Sequence, residues 1–158
     1  MFVYGIEGAP GTALSTNGSA NTESANLAIR QATRGVDVNM FLVCGRGISL
    51  TTLNSIFFRT RRWTTVGSGG TAITPAPRRI GTTASTTAAD SSAALTAGTV
   101  SGAYQLGFGC GGAGPGGWTA RDADSAIHIE GGSSDELDLV TVGGVASMPF
   151  EVSAEIGE

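Results

Sequence analysis

Apolar and polar residues alternate at period two in one segment after another of this chain, and glycine-rich turns divide the segments before any grows long. A period of two sends successive side chains to opposite faces of a strand, whereas a helix needs apolar residues three and four apart. The closing stretch 148–156 is the cleanest case, with Phe150, Val152, Ala154 and Ile156 predicted inward and Glu151, Ser153 and Glu155 outward. In 126–130, Ile127 and Ile129 face inward and His128 and Glu130 outward. Residues 137–142 are mostly apolar, and 100–108 align Tyr104, Leu106 and Phe108 on one face. Upstream, Val36, Val38, Met40, Leu42 and Cys44 share a face of a predicted strand. Residues 56–66, aromatic and β-branched without Gly or Pro, read as a long one.

Composition points the same way. Charged residues are only 14% of the chain and all nine basic residues are Arg, whereas long exposed helices draw on Lys and Glu for their solvent face. The 158 residues leave room for one core. The prediction is an all-β fold: a single β-sandwich or jelly-roll-like domain of about eight strands over residues 26–158, with a barrel as the alternative. Residues 1–25 are expected to form an extended arm or edge segment. The Gly/Ala/Ser/Thr tract at about 67–99 is expected to be a long surface loop lying against a neighbouring subunit, with a short helix possible at 88–97. No basic, apolar leader opens the sequence, and the run 40–44 is far short of the roughly 20 residues a membrane helix needs. A soluble, non-secreted chain is therefore expected, with Cys44 and Cys110 reduced and buried and their pairing left open.

Motifs for chemistry are sparse. Gly107, Gly109 and Gly112 match the dinucleotide fingerprint, but the following Gly114-Pro115-Gly116 cannot continue as the helix that motif requires. Asp122-Ala123-Asp124-Ser125 imitates the start of a calcium loop without its later Gly and Glu in place. The acids at 122–138 read better as a solvated edge. His128 has no second His or Cys at ligand spacing. No catalytic residue, cofactor or metal is predicted, and the chain reads as a non-enzyme.

The one constellation is arginine. Arg59, Arg61 and Arg62 lead into Trp63, and Arg78 and Arg79 follow across a glycine turn. Residues 1–118 hold eight Arg against four acids; residues 119–158 hold one Arg against nine. Arginine's planar fork suits carboxylates and aromatic faces. These five arginines and Trp63 are accordingly expected at an interface, meeting Asp135, Glu136 and Asp138 within the subunit or across a subunit boundary. A sequence pI of 4.9 argues against nucleic acid as the partner.

The strand Phe57-Phe58-Arg59-Thr60-Arg61-Arg62-Trp63-Thr64-Thr65, then Gly69-Gly70-Thr71, Thr74-Pro75-Ala76-Pro77 and the Thr/Ala tract 82–99, resembles small β-sandwich structural proteins of tailed-bacteriophage virions. The glycine loop, Trp118 and the acidic-apolar closing strand keep the same order over residues 50–158. This sequence departs from the pattern in the 107–117 glycines and in Arg78-Arg79, where an acid after the proline is more usual. The resemblance implies a capsid decoration (cement) protein: made in the host cytoplasm, carried on the capsid surface, bound to the major capsid protein, and homo-oligomeric, with a trimer favoured. It implies neither membrane nor nucleic acid as partner. The alternatives are a carbohydrate-binding sandwich on a virion, stacking Trp63 or Trp118 on a sugar, and a tail or head–tail joining subunit.

Overall fold

The computed structural model describes residues 1–8, 14–15, 23–30, 33–45, 55–96, 99, 105–111, 114–132, 135–142 and 149–158. Its strands are β1 (Val3–Gly8), β2 (Leu14–Ser15), β3 (Glu23–Arg30), β4 (Val36–Gly45), β5 (Ser55–Trp63), β6 (Thr71–Ile73) and β7 (Ala76–Pro77). They continue with β8 (Ala88–Leu95), β9 (Leu106–Gly111), β10 (Gly116–Thr119), β11 (Ile127–Ile129), β12 (Glu136–Val142) and β13 (Pro149–Gly157). One sheet runs β10-β4-β13-β1-β7, with β11 also on β4 and β2 on β13; the other runs β6-β8-β3-β12-β5-β9. The two antiparallel sheets bury one apolar layer between them, as the all-β sandwich reading requires.

The layer is built where alternation was clearest. Phe150, Val152, Ala154 and Ile156 of β13 are all buried, as are Ile127 and Ile129 of β11. An aromatic cluster ties the sheets together. Phe58 of β5 stacks on Phe108 of β9 at 5.8 Å and meets Phe150 of β13 edge-on at 5.1 Å; Phe41 of β4 lies 6.4 Å from Phe108 and from Trp118. Such pairs each add about 0.5–1.5 kcal/mol beyond the area they bury.

Three expectations give way to the structure. In β4 the partner of Met40 is Glu155 and that of Val38 is Ile156, so Asn39 is an extra, bulged residue. The bulge reverses the pleat: Val36 and Val38 point to the core before it, Phe41 and Val43 after it. Met40, Leu42 and Cys44 therefore lie on the outer face rather than sharing one with Val36 and Val38. Second, the tract 67–99 is not one loop, since β6, β7 and β8 lie in it. Third, Ala88–Leu95 is a strand, not a helix. It pairs with β3 on one side and β6 on the other, and this pairing outweighs the helical preference of alanine. Of segment 1–25, Val3–Gly8 is a near-edge strand between β13 and β7, with Tyr4 and Ile6 in the core. Cys110 is buried, Cys44 half-buried, and both are free thiols.

The sandwich edges are drawn together by small residues. At one, the chain passes from β6 in one sheet to β7 in the other through buried Pro75. At the opposite edge β9 and β10 approach so closely that a Cβ on Gly116 would stand 1.9 Å from the carbonyl oxygen of Gly109. Gly116→Ala is thus expected to cost about 1–3 kcal/mol, because backbone must move to admit it. Gly114→Ala, where a Cβ meets nothing within 4 Å, is the control. Urea denaturation of both variants measures the difference, and equal midpoints would show that the edge yields freely.

Candidate functional site

In β12, every residue from Glu136 to Thr141 is buried, on both faces of the strand. Leu137 and Leu139 belong to the core between the sheets. Glu136, Asp138 and Val140 face the other way. There Val140 packs with Ala28 of β3 and Trp63 of β5 in a second, smaller apolar cluster. The chain following β5 closes over part of this face: the Gly67 amide donates to Glu136 Oε1 at 3.0 Å, Ser68 and Thr96 exchange backbone hydrogen bonds, and the Thr64 amide donates to the Thr99 carbonyl. Glu136 and Asp138 are thus not part of a solvated edge.

Charges under this cover are arranged as a chain across four strands. Arg30, on β3, contacts the Asp90 carboxylate of β8 on one side and lies 3.2 Å, through Nε, from Glu136 Oε2 of β12 on the other. Asp138 is two residues from Glu136 and hence on the same face, and its partner across the ladder on β5 is Arg61. Burial, then the neighbouring Glu136 charge and a hydrogen bond to it, pushes the Asp138 carboxyl up to about 9, while Arg30 pulls it down. Asp138 is therefore protonated at neutral pH.

The sequence-predicted residues separate into two groups. Glu136, Asp138 and Trp63 are buried inside their own chain, so they are not available to a second subunit as expected. Arg61 sits with its guanidinium 5.4 Å from the Trp63 ring, and Arg59 the same distance from that of Phe57. Arg62, on the opposite face of β5, donates to the His128 carbonyl and so ties the second sheet to β11 of the first. Asp135 is half-buried at the start of β12. Arg78 and Arg79 are exposed. Arg78 crosses over Gly5 to within 3.8 Å of Glu155.

Beyond Arg79 comes a residue the sequence did not flag. The Thr82 amide donates to the Arg79 carbonyl, and Gly81 takes φ 82°, which defines a tight turn with Ile80 at its apex. Ile80 is fully exposed at 102% of its reference area, and Met1 and Phe2 are exposed as well. They belong to one end of the molecule: β7 pairs with β1, the Arg78 amide donates to the Val3 carbonyl, and Phe2 exchanges backbone hydrogen bonds with Glu158. Beneath this end, the Glu158 carboxylate accepts from Ser85, Thr86 and Thr87. Burial works to raise its pKa, but these donors outweigh it and hold the group below the usual carboxylate range.

The remaining motifs have structural roles. Gly107 and Gly109 lie in β9, and the next element among the described residues is the strand β10, not a helix. Asp122 caps a short 3₁₀ turn, accepting from the Ser125 amide at 2.9 Å while Ser125 Oγ receives the Asp122 amide. His128 is on the solvent side of β11, its Nδ1 2.6 Å from Asp37. Comparison with protein-family models, with curated proteins and with solved structures gives no match for this chain.

Proposed function

We infer that the chain is a non-enzymatic structural subunit of a phage virion, a decoration protein that docks on the major capsid protein through the end bearing Ile80. The observation that carries this reading is an apolar apex in water, flanked by Arg78 and Arg79 and neighboured by Met1 and Phe2. Burying one isoleucine side chain contributes roughly 1.5–3 kcal/mol, and flanking guanidiniums select acidic ground around the pocket that receives it. The resemblance of the Arg/Thr strand and the Thr-Pro-Ala-Pro element to virion proteins supplies the class of partner. The carboxyls that otherwise suggest catalysis, Glu136 and Asp138, have no exposed surface with which to reach a substrate.

The carbohydrate-binding reading draws little from the tryptophans, since Trp63 is buried and Trp118 is half-buried beside Phe41. Sedimentation of the purified protein with expanded capsid shells tests the leading reading. Wild-type protein is expected to co-sediment, and Arg79→Glu with Ile80→Asp to lose at least about tenfold in affinity, as for an anchor residue and its flanking charge. Both positions are exposed, so the fold should survive the change. Absence of wild-type binding, or equal binding by the variant, rejects it.

A further inference from the structure

We propose that the corner Ser85-Thr86-Thr87 is a carboxylate-binding seat, filled by the chain's own Glu158, and that this seat latches the segment carrying Ile80 in the posture that docks. The inference deepens the capsid-binding reading and rests on it for one consequence, the effect on capsid affinity. The latch itself is tested on the free protein.

Residues 78–86 bury no side chain. The apolar members of the segment, Ile80 and Ala84, are both exposed. Burial of apolar surface therefore does not hold the segment to the sandwich, and its conformation depends on hydrogen bonds. At its start the Arg78 amide donates to the Val3 carbonyl. In its middle the Tyr4 hydroxyl donates to the Thr83 carbonyl at 2.9 Å. Both bonds are between neutral groups, and each contributes little net of the water it displaces.

The far end is held by a charge. The amides of Thr86 and Thr87 lie 3.1 and 2.9 Å from Glu158 Oε1, and the hydroxyls of Ser85 and Thr87 donate to the same carboxylate. Successive amides turned to one side make a concave donor site suited to an anion. Hydrogen bonds to an ionised acceptor are also about twice as strong as neutral ones. The Thr87 amide lies 3.1 Å from Ser85 Oγ as well, which fixes the corner just before β8 begins. Burial opposes ionisation of Glu158, yet these donors prevail and keep its carboxyl below the ordinary value, so at neutral pH the seat holds a carboxylate.

The strand end that supplies Glu158 is tied to the strand on which the turn leans. Phe2 and Glu158 exchange backbone hydrogen bonds, and β1 pairs with both β13 and β7. The latch thus closes a ring, from Glu158 through Phe2 and β1 to β7 and Arg78, then around the Ile80 turn to Thr87 and back. Emptying the seat cuts this ring at its charged joint and lets the chain around Arg79 and Ile80 extend. An apex held in one posture avoids the ordering cost that a mobile one meets on binding.

Trypsin reports on the latch. A protease needs extended chain on both sides of the arginine it cleaves, and it nicks a folded protein in proportion to the locally open population. With the seat filled, Arg78 and Arg79 are exposed but held, and the wild type should be cut slowly. Glu158→Ala should be cut at least about tenfold faster at these two arginines, as for the loss of charge-assisted bonds. Cleavage after Arg34 and Arg121, which are exposed elsewhere, should stay at the wild-type rate. Sodium formate at about 0.2 M, a carboxylate small enough to enter the vacated seat, should slow the variant severalfold where sodium chloride of equal screening does not. Mass spectrometry of the fragments locates each cut. Wild-type rates for Glu158→Ala, faster cutting at all four arginines alike, or formate acting as chloride does would each overturn the proposal. Where wild-type protein co-sediments with expanded capsids, Glu158→Ala should bind several-fold more weakly and formate should recover it; equal binding would overturn the role of the latch in docking. A wild type that ignores capsids rejects the capsid-binding reading and leaves the proteolysis to decide the latch.

Discussion

Arg30→Met is expected to lower the free energy of unfolding by about 3–5 kcal/mol, the cost of leaving buried carboxylates without their counter-charge. Arg30 stands between Asp90 and Glu136 and contacts both, and Glu136 has no exposed surface through which water can replace the guanidinium. Methionine keeps most of the volume, so the loss measures charge rather than a cavity. Removing the acids together with the arginine should undo much of the damage: Arg30→Met with Asp90→Ala and Glu136→Leu is expected within about 1–2 kcal/mol of the wild type, since apolar replacement of a whole buried network is often neutral. Guanidinium denaturation at neutral pH decides between the two. A loss below about 1 kcal/mol for Arg30→Met alone would mean that water screens the pair as it does at a surface.

What could be read from residues alone follows from how each strand signals itself. β13 and β11 alternate large apolar with polar side chains, and the residues that this alternation sends inward are the buried ones. β4 carries as many apolar residues, but a bulge leaves no mark in a pattern of period two; only the pairing of Val38 and Met40 with consecutive residues of β13 reveals it. β8 had no signal at all. Its Ala and Ser side chains are too small to mark a face, and it is a strand because β3 and β6 offer it partners. Acids are assigned to solvent by residue type, which is right for Asp122, Asp124 and Glu130 and wrong for Glu136 and Asp138. One clue to their burial lies in the sequence. Asp90 is the only charge between Ile80 and Ala120, and a lone charge in so apolar a tract calls for a specific partner, which Arg30 proves to be. The exposed apex is legible only in retrospect, from Arg-Arg-Ile followed by the glycine that closes the turn.

The second large effect is on the pH dependence of stability, and Asp138 sets its sign. Its carboxyl is raised from 3.8 to about 9 in the folded chain, so between those values the folded state holds a proton that the unfolded state has released. The stabilisation is complete below the unfolded pKa and is lost as pH rises toward the folded one, by up to about 1.4 kcal/mol per pH unit. Glu158 acts with the opposite sign, but its pKa is lowered from 4.5, so its contribution is lost only in acid, below the range from pH 5 to 8. Asparagine resembles the protonated acid in shape, cannot ionise, and can donate to Glu136 as the carboxyl does. Asp138→Asn is therefore expected to match the wild type within about 1 kcal/mol at pH 5 and to exceed it by about 2 kcal/mol or more at pH 8, by the same linkage. Chemical denaturation at the two pH values, followed by tryptophan fluorescence because Trp63 lies across the ladder from Glu136, measures both differences. A variant destabilised equally at both would show that Asp138 is ionised in the folded chain and that its charge is already compensated. A gap that widens with pH means that the proton belongs to the fold.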